Sequence, residues 1–474
     1  MGDETFVDSD IPEPEVEINK PSRMRRNARA ERRGRNIFSQ IGNRSIPVST
    51  PVPDINQPGR NASPDASISG MAIHAHKSVH LKIDVPILFI ISTLVIFGLL
   101  MVHSASWKFS LDAYNSPTEV FTRQLLWTGL GVVVAVVLSL INYHRWQKFA
   151  VWIMLATVIA LVAVLFVHDE RNGAVRTLFG GSIQPSELAK IIIIIYLSAW
   201  LFNHGEQLRE VSFGLLPLGV ILGILGALIM FQPDLSAVIT IFLLGGMMFF
   251  LAGGDLRQIV IVIILGALVG WLLVQSGISS TGKERVDSFV IGLRDPLQAS
   301  NHVQRSMESF VKGGLVGVGI GKADTKLTVL PFPHTDSIFA VIGEETGILG
   351  ASLVVLLYGL LMWRGIVISR RAPDKLGTLL AAGLSFWLGM EAFINMAVMV
   401  GLLPFAGNAL PLISAGGSNR LVSLAAIGIL LNISRLSFKE REEKERVYSA
   451  VVNLRRRDWR RGIPRPRRPS IPAS

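Results

Sequence analysis

Ten long apolar stretches constrain this chain more than any other feature of its sequence. A helix needs about 20 apolar residues to cross the hydrocarbon core of a bilayer. Only 17% of the residues are charged, against about 25% in soluble proteins. The pattern therefore predicts an all-α polytopic membrane protein with about ten transmembrane helices. The predicted spans are about 85–103, 121–142, 148–167, 188–204, 213–231, 234–252, 257–275, 337–363, 377–400 and 413–434.

The rest of the sequence divides into two polar tails and one long polar interruption. Residues 1–82 are acidic, then basic, then rich in proline, serine and asparagine, which predicts a disordered cytoplasmic tail. Residues 83–435 hold the apolar stretches, and residues 436–474 form a basic tail that is also expected to be cytoplasmic. The interruption, Gly277–Asp336, predicts a large extracytoplasmic loop between the seventh and eighth helices.

The basic residues of the short loops predict the orientation of the helices. If the N-terminus is cytoplasmic, the basic residues near His144, the loop Arg364–Lys375 and the C-terminal tail all fall inside. Ten helices then bring both termini to the cytoplasmic side and place the long polar segment outside. The sequence contains no cysteine, which excludes disulfides and thiolate metal sites.

Several ionisable residues fall within the apolar stretches or at their ends. Glu187 and Lys190 are three residues apart and would share one face of a helix. Charges at membrane depth are costly, so they either pair with one another or line a polar cavity. Both alternatives stay open for each residue at this point. The remaining members of the set are Asp234, Glu344, Glu345, Glu391 and Asn395.

Two segments of the long interruption stand out chemically. Asp295 precedes a proline, which predicts an extended or turn conformation. Such a carboxylate serves either as a general base or as an ordinary turn residue. At the start of the eighth span, Thr335 or Asp336 is expected to cap the free amides of the helix, with His334 beside them. One histidine and one aspartate are too few ligands for a metal site.

The glycine-rich run Gly313–Gly321 lies between these two segments. It lacks the strand–turn–helix setting of a dinucleotide site and the lysine spacing of a P-loop. We expect the glycines to let the backbone pack closely against a neighbour. Physical reasoning leaves two functions, an enzyme acting on a lipid-linked substrate and a transporter or lipid flippase. The absence of an internal repeat and the clustering of polar groups on one side favour the enzyme.

Taken together, the polar motifs resemble the FtsW/RodA/SpoVE (SEDS) family over roughly residues 84–435. The resemblance implies a ten-helix peptidoglycan glycosyltransferase that polymerises lipid II at the outer face of the cytoplasmic membrane. The two tails resemble those of the division members more than the elongation members, which implies a septal location. The motifs, in family order, are Asp84 with Ser104–Ser106, Asn172–Ala174 with Arg176, Gln184–Lys190, Gln232–Leu235, Asp295–Pro296, Gly319–Lys326, His334–Asp336, Glu344–Glu345 and Leu410–Ser418.

The resemblance also implies roles for individual residues. The essential loop aspartate of the family falls on Asp295, which would accept the proton of the acceptor sugar's 4-hydroxyl. Arg176, Lys190 and Lys326 match family positions and would offset the charge of the undecaprenyl pyrophosphate leaving group. The other expected substrate-binding residues are Gln184, Glu187, His334, Asp336, Glu345, Ser414 and Ser418.

The implied partners are lipid II, a class B penicillin-binding transpeptidase and other divisome membrane proteins, with no nucleic acid. A divalent cation on the pyrophosphate is compatible with the chemistry, although no ligand cluster in the sequence requires one. The alternative interpretations are a lipid II flippase and an elongation-type member of the family. The chain departs from the family pattern at Thr177, Arg305, Phe332, Ala406 and Ala415.

Overall fold

A computed structural model of the chain describes residues 84–166, 184–205, 208, 210–232, 234–275, 280–295, 298–328 and 330–461. This part of the chain is all-helical and contains no strand. The predicted N-terminal tail and Arg176 lie outside the described residues.

Thirteen α-helices are described, and all ten predicted apolar stretches fall on helices. Among the described residues, eight helical segments are long and apolar enough to cross a membrane, while α6 and α7 contribute shorter apolar stretches. The helices are α1 (Val85–Tyr114), α2 (Glu119–Leu140), α3 (His144–Phe166), α4 (Pro185–Asn203), α5 (Leu216–Met230, after a π-helical turn at Val211–Leu215), α6 (Leu235–Leu251), α7 (Leu256–Gln275), α8 (Ser280–Arg294), α9 (Asn301–Gly313), α10 (Thr325–Thr328), α11 (Ile338–Arg370), α12 (Lys375–Met399) and α13 (Gly417–Arg461).

Aspartates begin three of these helices. The side chains of Asp84, Asp234 and Asp374 each accept a hydrogen bond from a backbone amide in the first turn of α1, α6 and α12, respectively. A carboxylate at this position satisfies an amide that has no partner within the helix. The role of Asp234 at the edge of its apolar stretch therefore includes helix capping.

The first helix is longer than the sequence predicted. The apolar pattern ends near His103, but α1 continues for three further turns to Tyr114. No glycine or proline lies within this extension, and the helix ends where Asn115 adopts the left-handed conformation at φ 54°. The extension matters because it carries Lys108 and Asp112 to the end of the helix.

The long polar interruption between the apolar helices α7 and α11 is itself largely helical. It contains α8, α9 and α10, and α9 packs against α11 and α12. The sequence of α9 is strongly amphipathic, with Val303, Ser306 and Ser309 on its buried face. An amphipathic helix of this kind gains stability by burying one face against its neighbours, which the hydropathy of the whole segment does not reveal.

The glycine-rich run packs against a break in α11. Gly347 has φ 69° and ψ −174°, a conformation that glycine adopts without steric cost. The run fills the break, and the amide of Ile348 donates to the carbonyl of Gly314 at 2.9 Å. An added Cβ at Gly317 would overlap the backbone of Glu345. The prediction of close backbone packing is confirmed for Gly313 and Gly317, whereas an added Cβ at Gly314 or Gly321 would meet open space.

Candidate functional site

Two buried lysines organise the polar interior, and the first is Lys190 on α4. Its Nζ donates to Glu187 Oε1 at 2.8 Å and also to Glu391 Oε1 of α12. The lysine and Glu391 side chains are 1% and 0% exposed. Glu187 Oε2 accepts a hydrogen bond from Asn419 Nδ2 of α13 at 3.1 Å. We call Glu187, Lys190 and Glu391 the Lys190 cluster; it joins α4 to α12 and α13.

The start of α4 lies beside this cluster and connects to two other helices. The backbone amide of Gln184 donates to Ser418 Oγ at 2.8 Å, which links α4 to α13. The side-chain Nε2 of Gln184 donates to Asp234 Oδ2 at 3.2 Å, and Ser186 Oγ donates to the same oxygen at 3.1 Å. The structure thus brings the predicted residues Gln184 and Ser418 next to the Lys190 cluster.

The second buried lysine is Lys326, on the single turn α10. Its Nζ donates to Ser104 Oγ of α1 at 2.8 Å and to Glu345 Oε1 of α11. Ser104 Oγ also donates to Glu345 Oε1 at 2.6 Å. The lysine and glutamate side chains are 1% and 0% exposed. We call Ser104, Lys326 and Glu345 the Lys326 cluster.

Glu344, the neighbour of Glu345, holds α10 in place. Its Oε1 accepts the backbone amide of Asp324 at 2.9 Å, and its Oε2 accepts the hydroxyl of Thr325. The same hydroxyl lies 2.7 Å from Ser309 Oγ of α9. The carboxylate therefore satisfies the free end of a four-residue helix and fixes the position of Lys326 one residue later.

Lys326 also lines a cleft of about 270 Å³ between the end of α1, α10 and the segment 330–334. Pockets for small ligands have volumes of about 300–1,000 Å³, so the cleft is near the lower end of that range. Its charged lining residues are Lys108, Asp112 and Lys326. The Nζ of Lys108 donates to the carbonyl of Leu327, which connects α1 to α10 across one wall.

His334 forms part of the same cleft and is almost completely buried. Its ring centroid lies 4.5 Å from that of Phe109. Burial lowers the pKa of His334 to about 4, so the imidazole is neutral at neutral pH. Its Nδ1 has no hydrogen-bond partner among the described residues. The wall of the cleft therefore contains an imidazole that is neutral at neutral pH.

Hydrogen bonds connect the segment around His334 to α12 and to the region before α13. Ser414 Oγ donates to the carbonyl of Thr335 at 2.7 Å. Asn395 Nδ2 donates to the carbonyl of Asp336 at 2.8 Å.

Neither Thr335 nor Asp336 is the N-cap of α11, because the N-cap residue is Ser337, which makes no side-chain capping bond. The expectation of a cap at those two residues was wrong.

Asp295 directly follows α8 and lies outside any helix, as the sequence predicted. Its Oδ2 accepts a hydrogen bond from Gln298 Nε2 at 2.9 Å, and its side chain is half-buried. Asp295 is not among the described residues that line the cleft. A separate narrow groove beside it is lined by residues that include Arg285, Leu293 and Phe405.

Sequence reasoning missed Lys108 and Asp112 because it ended the first span before them. Their spacing of four residues on a continuing helix was the available signal.

The described part of the chain contains no group of three or more histidines, aspartates or glutamates that is arranged to hold a metal ion.

Comparisons with known proteins agree on one family. The model of the FtsW/RodA/SpoVE cell cycle proteins matches residues 85–439. The probable peptidoglycan glycosyltransferase FtsW of Geobacter metallireducens is 34% identical over 357 residues, which are 74% of this chain and 95% of that protein. Stage V sporulation protein E of Bacillus subtilis is 34% identical over 366 residues, which are 75% of this chain and 98% of that protein.

Solved structures share the fold. A chain from a peptidoglycan synthase complex that coordinates polymerization and crosslinking superposes with a TM-score of 0.63 at 26% identity, covering 76% of this chain and 99% of that one. The rod shape determining protein RodA of Thermus thermophilus superposes with a TM-score of 0.56 at 24% identity, covering 75% of this chain and 98% of that one.

Proposed function

Because the chain belongs to the FtsW/RodA/SpoVE family, we propose that it is a peptidoglycan glycosyltransferase that polymerises lipid II into glycan strands. Relatives that carry this activity in their names match three quarters of the chain. The observation that carries the proposal is Lys326, the buried lysine of the Lys326 cluster, which contributes to the wall of the cleft. A buried lysine at the wall of a cleft can meet an anionic group that is partly removed from water.

In this reaction the acceptor 4-hydroxyl forms a bond to the anomeric carbon of the donor sugar, and the bond from that carbon to the diphosphate breaks. Negative charge grows on the departing undecaprenyl diphosphate. Lys326 and Lys108 are the described cations of the cleft that can offset it. Glu345 neutralises Lys326 in the free protein, so the diphosphate competes with a carboxylate for the same Nζ.

Asp295 is the proposed general base, which takes the proton of the attacking hydroxyl. Its position at the turn after α8 supports this role, because the carboxylate is only half-buried and its neighbours form a groove. Asp295 does not line the cleft, so the complex with substrate would have to bring the acceptor hydroxyl to this carboxylate and the diphosphate to Lys326. Arg176, Gln184, Asp336, Ser414 and Ser418 stay proposed substrate-binding residues.

The test is polymerisation of lipid II by Asp295→Asn and Asp295→Ala variants reconstituted in vesicles. A general base contributes about 10²- to 10⁴-fold, so we expect activity to fall by at least about 100-fold. Full activity in a correctly inserted variant would remove Asp295 from the mechanism. A flippase would instead translocate lipid II in both variants and form no polymer.

We further propose that the polar segment lies on the outer face, that both termini are cytoplasmic, and that the protein acts at the septum. A single-helix class B penicillin-binding transpeptidase is the proposed partner, supported by the structural similarity to a synthase complex. Polymerisation with and without the co-purified transpeptidase tests the partnership. Repeating it with EDTA and then with added Mg²⁺ tests whether a cation on the diphosphate takes part.

A further inference from the structure

Four side chains from four separate segments form one column beside the cleft. The ring of His302 on α9 stacks on that of Phe405 with centroids 3.9 Å apart and planes 19° apart. The ring of Phe332 also lies nearly parallel to that of His302, with centroids 6.3 Å apart. The guanidinium of Arg285 on α8 lies 5.4 Å from the centroid of Phe405. We call Phe332, His302, Phe405 and Arg285 the aromatic column.

The two ends of the column differ in packing and exposure. At the Phe405 end, the rings are in direct contact and a cation covers the outer face. At the other end, Phe332 is 45% exposed and lines the cleft. Burial and the nearby Arg285 lower the pKa of His302 to about 4, so the middle ring is uncharged at neutral pH. The exposed end therefore presents an aromatic ring to whatever occupies the cleft.

The backbone holds Phe332 in an unfavourable conformation. Its φ is 48°, in the left-handed region that a bulky residue rarely adopts. The surrounding turn fixes it, because its carbonyl accepts the amides of Thr335 at 3.2 Å and Ser337 at 3.3 Å. Such conformations persist where the surroundings over-determine them, and they cluster at ligand sites. A glycine would fit this backbone at no cost, but it would leave no ring in the cleft.

We propose that the aromatic column is a carbohydrate-binding platform on which Phe332 stacks against a sugar ring of the lipid-linked glycan. The C–H face of a pyranose is apolar and flat, so it packs on an exposed aromatic face. Ligand sites combine such apolar surface with a few polar groups, and here Lys108 and Asp112 line the same cleft and can meet the sugar hydroxyls. This inference rests on the proposed function for the identity of the substrate.

Steady-state polymerisation of lipid II by Phe332→Ala tests the platform. An aromatic contact of this kind is worth roughly three- to tenfold in affinity, so KM rises by that factor while kcat changes less than about twofold. Phe332→Tyr and Phe332→Trp keep the ring and keep the wild-type KM. Phe332→Asn tolerates the left-handed backbone without the ring, so it should resemble Phe332→Ala. Phe393→Ala removes an exposed ring of α12 that does not line the cleft, and it serves as the control.

A binding measurement separates this inference from the proposed function. Lipid II and undecaprenyl diphosphate, which has no sugar, are titrated against Asp295→Asn and Asp295→Asn/Phe332→Ala in nanodiscs. If the platform binds sugar, Asp295→Asn/Phe332→Ala should bind lipid II roughly three- to tenfold more weakly than Asp295→Asn does. The two variants should bind undecaprenyl diphosphate equally well. Equal losses for both ligands would assign the ring to the lipid chain and overturn the proposal, as would unchanged binding of lipid II. If lipid II binds as predicted but the wild-type chain makes no polymer, the proposed function fails and the platform stands.

Discussion

Lys190 and Lys326 are both buried lysines paired with glutamates, but they differ in their partners and in access. Lys190 contacts two carboxylates inside the helix bundle, where α4 meets α12. Lys326 contacts one carboxylate and one hydroxyl, and it lines the cleft. Similar residue types therefore serve two settings, one enclosed by helices and one buried at the wall of a cleft.

The sequence left open whether each buried charged residue pairs with another or lines a cavity, and this difference helps to decide between the two. An enclosed lysine with two carboxylates is held by charges that would be costly to leave unpaired. A lysine with one carboxylate at a cleft can exchange that partner for an anionic ligand. We infer that the Lys190 cluster acts on substrate only by positioning α4, α12 and α13, whereas the Lys326 cluster contacts substrate directly.

The largest effect is expected from Lys190→Met. The substitution leaves Glu187 and Glu391 without their cation, and breaking a buried pair in this way costs about 3–5 kcal/mol. We expect loss of monodisperse protein, or a large decrease in Tm, measured in detergent by size-exclusion chromatography and thermal unfolding. Lys190→Met/Glu391→Gln should recover much of the loss. A single variant as stable as the wild type would show that the cluster does not hold the helices.

A backbone substitution tests the framework of the other cluster. In Gly347→Ala, the new Cβ would overlap the carbonyl of Leu315, and the positive φ adds strain. Strain of this kind alone costs about 1–3 kcal/mol, so thermal unfolding should show a clear decrease in Tm. Gly321→Ala is the matched control, since it also has a positive φ, of 87°, but open space around the added Cβ. Equal decreases for the two variants would mean that packing into the break of α11 contributes nothing.

A smaller effect on the stability of the protein is expected when the pH is lowered. The folded-state pKa of His334 is about 4, below the ordinary value of 6.5. Between these two values the unfolded chain binds more protons, so the free energy of unfolding falls as pH is lowered from about 6.5 to 4. His334→Gln should reduce this slope, measured as Tm against pH between 7.5 and 4.5. An unchanged slope would show that the imidazole is as solvated in the folded chain as in the unfolded one.

The helical architecture could be predicted from the sequence because apolar length alone dictates it. All ten stretches proved helical, and Gly313 and Gly317 of the run before α10 pack as expected. The polar interruption was harder, because α9 shows its helical character only through the periodicity of Val303, Ser306 and Ser309. Likewise, no hydropathy value reports the break at Gly347, since the two halves of α11 continue one apolar stretch.

The candidate site could be predicted only in part. Glu187 and Lys190 are close in sequence, so their pairing follows from helical spacing. Ser104 lies more than 200 positions from Lys326 and from Glu345, both of which it contacts, and no local pattern specifies such a meeting. The aromatic column was missed for the same reason, because Phe332 and Phe405 are brought together only by packing of the segments around α9.

The central claim is that the Lys326 cluster contacts substrate and the Lys190 cluster does not. Two double variants test it, Lys326→Met/Glu345→Gln and Lys190→Met/Glu391→Gln, each of which removes a buried lysine together with one glutamate partner. In the second variant, Glu187 loses its cation but keeps the hydrogen bond from Asn419. Lipid II polymerisation is measured per folded protein in vesicles. The account predicts that the Lys190 double variant keeps at least about a tenth of wild-type activity, while the Lys326 double variant falls by about 100-fold or more, as expected when an electrostatic contact to the transition state is removed. Equal losses in the two variants, or the reverse order, would contradict it.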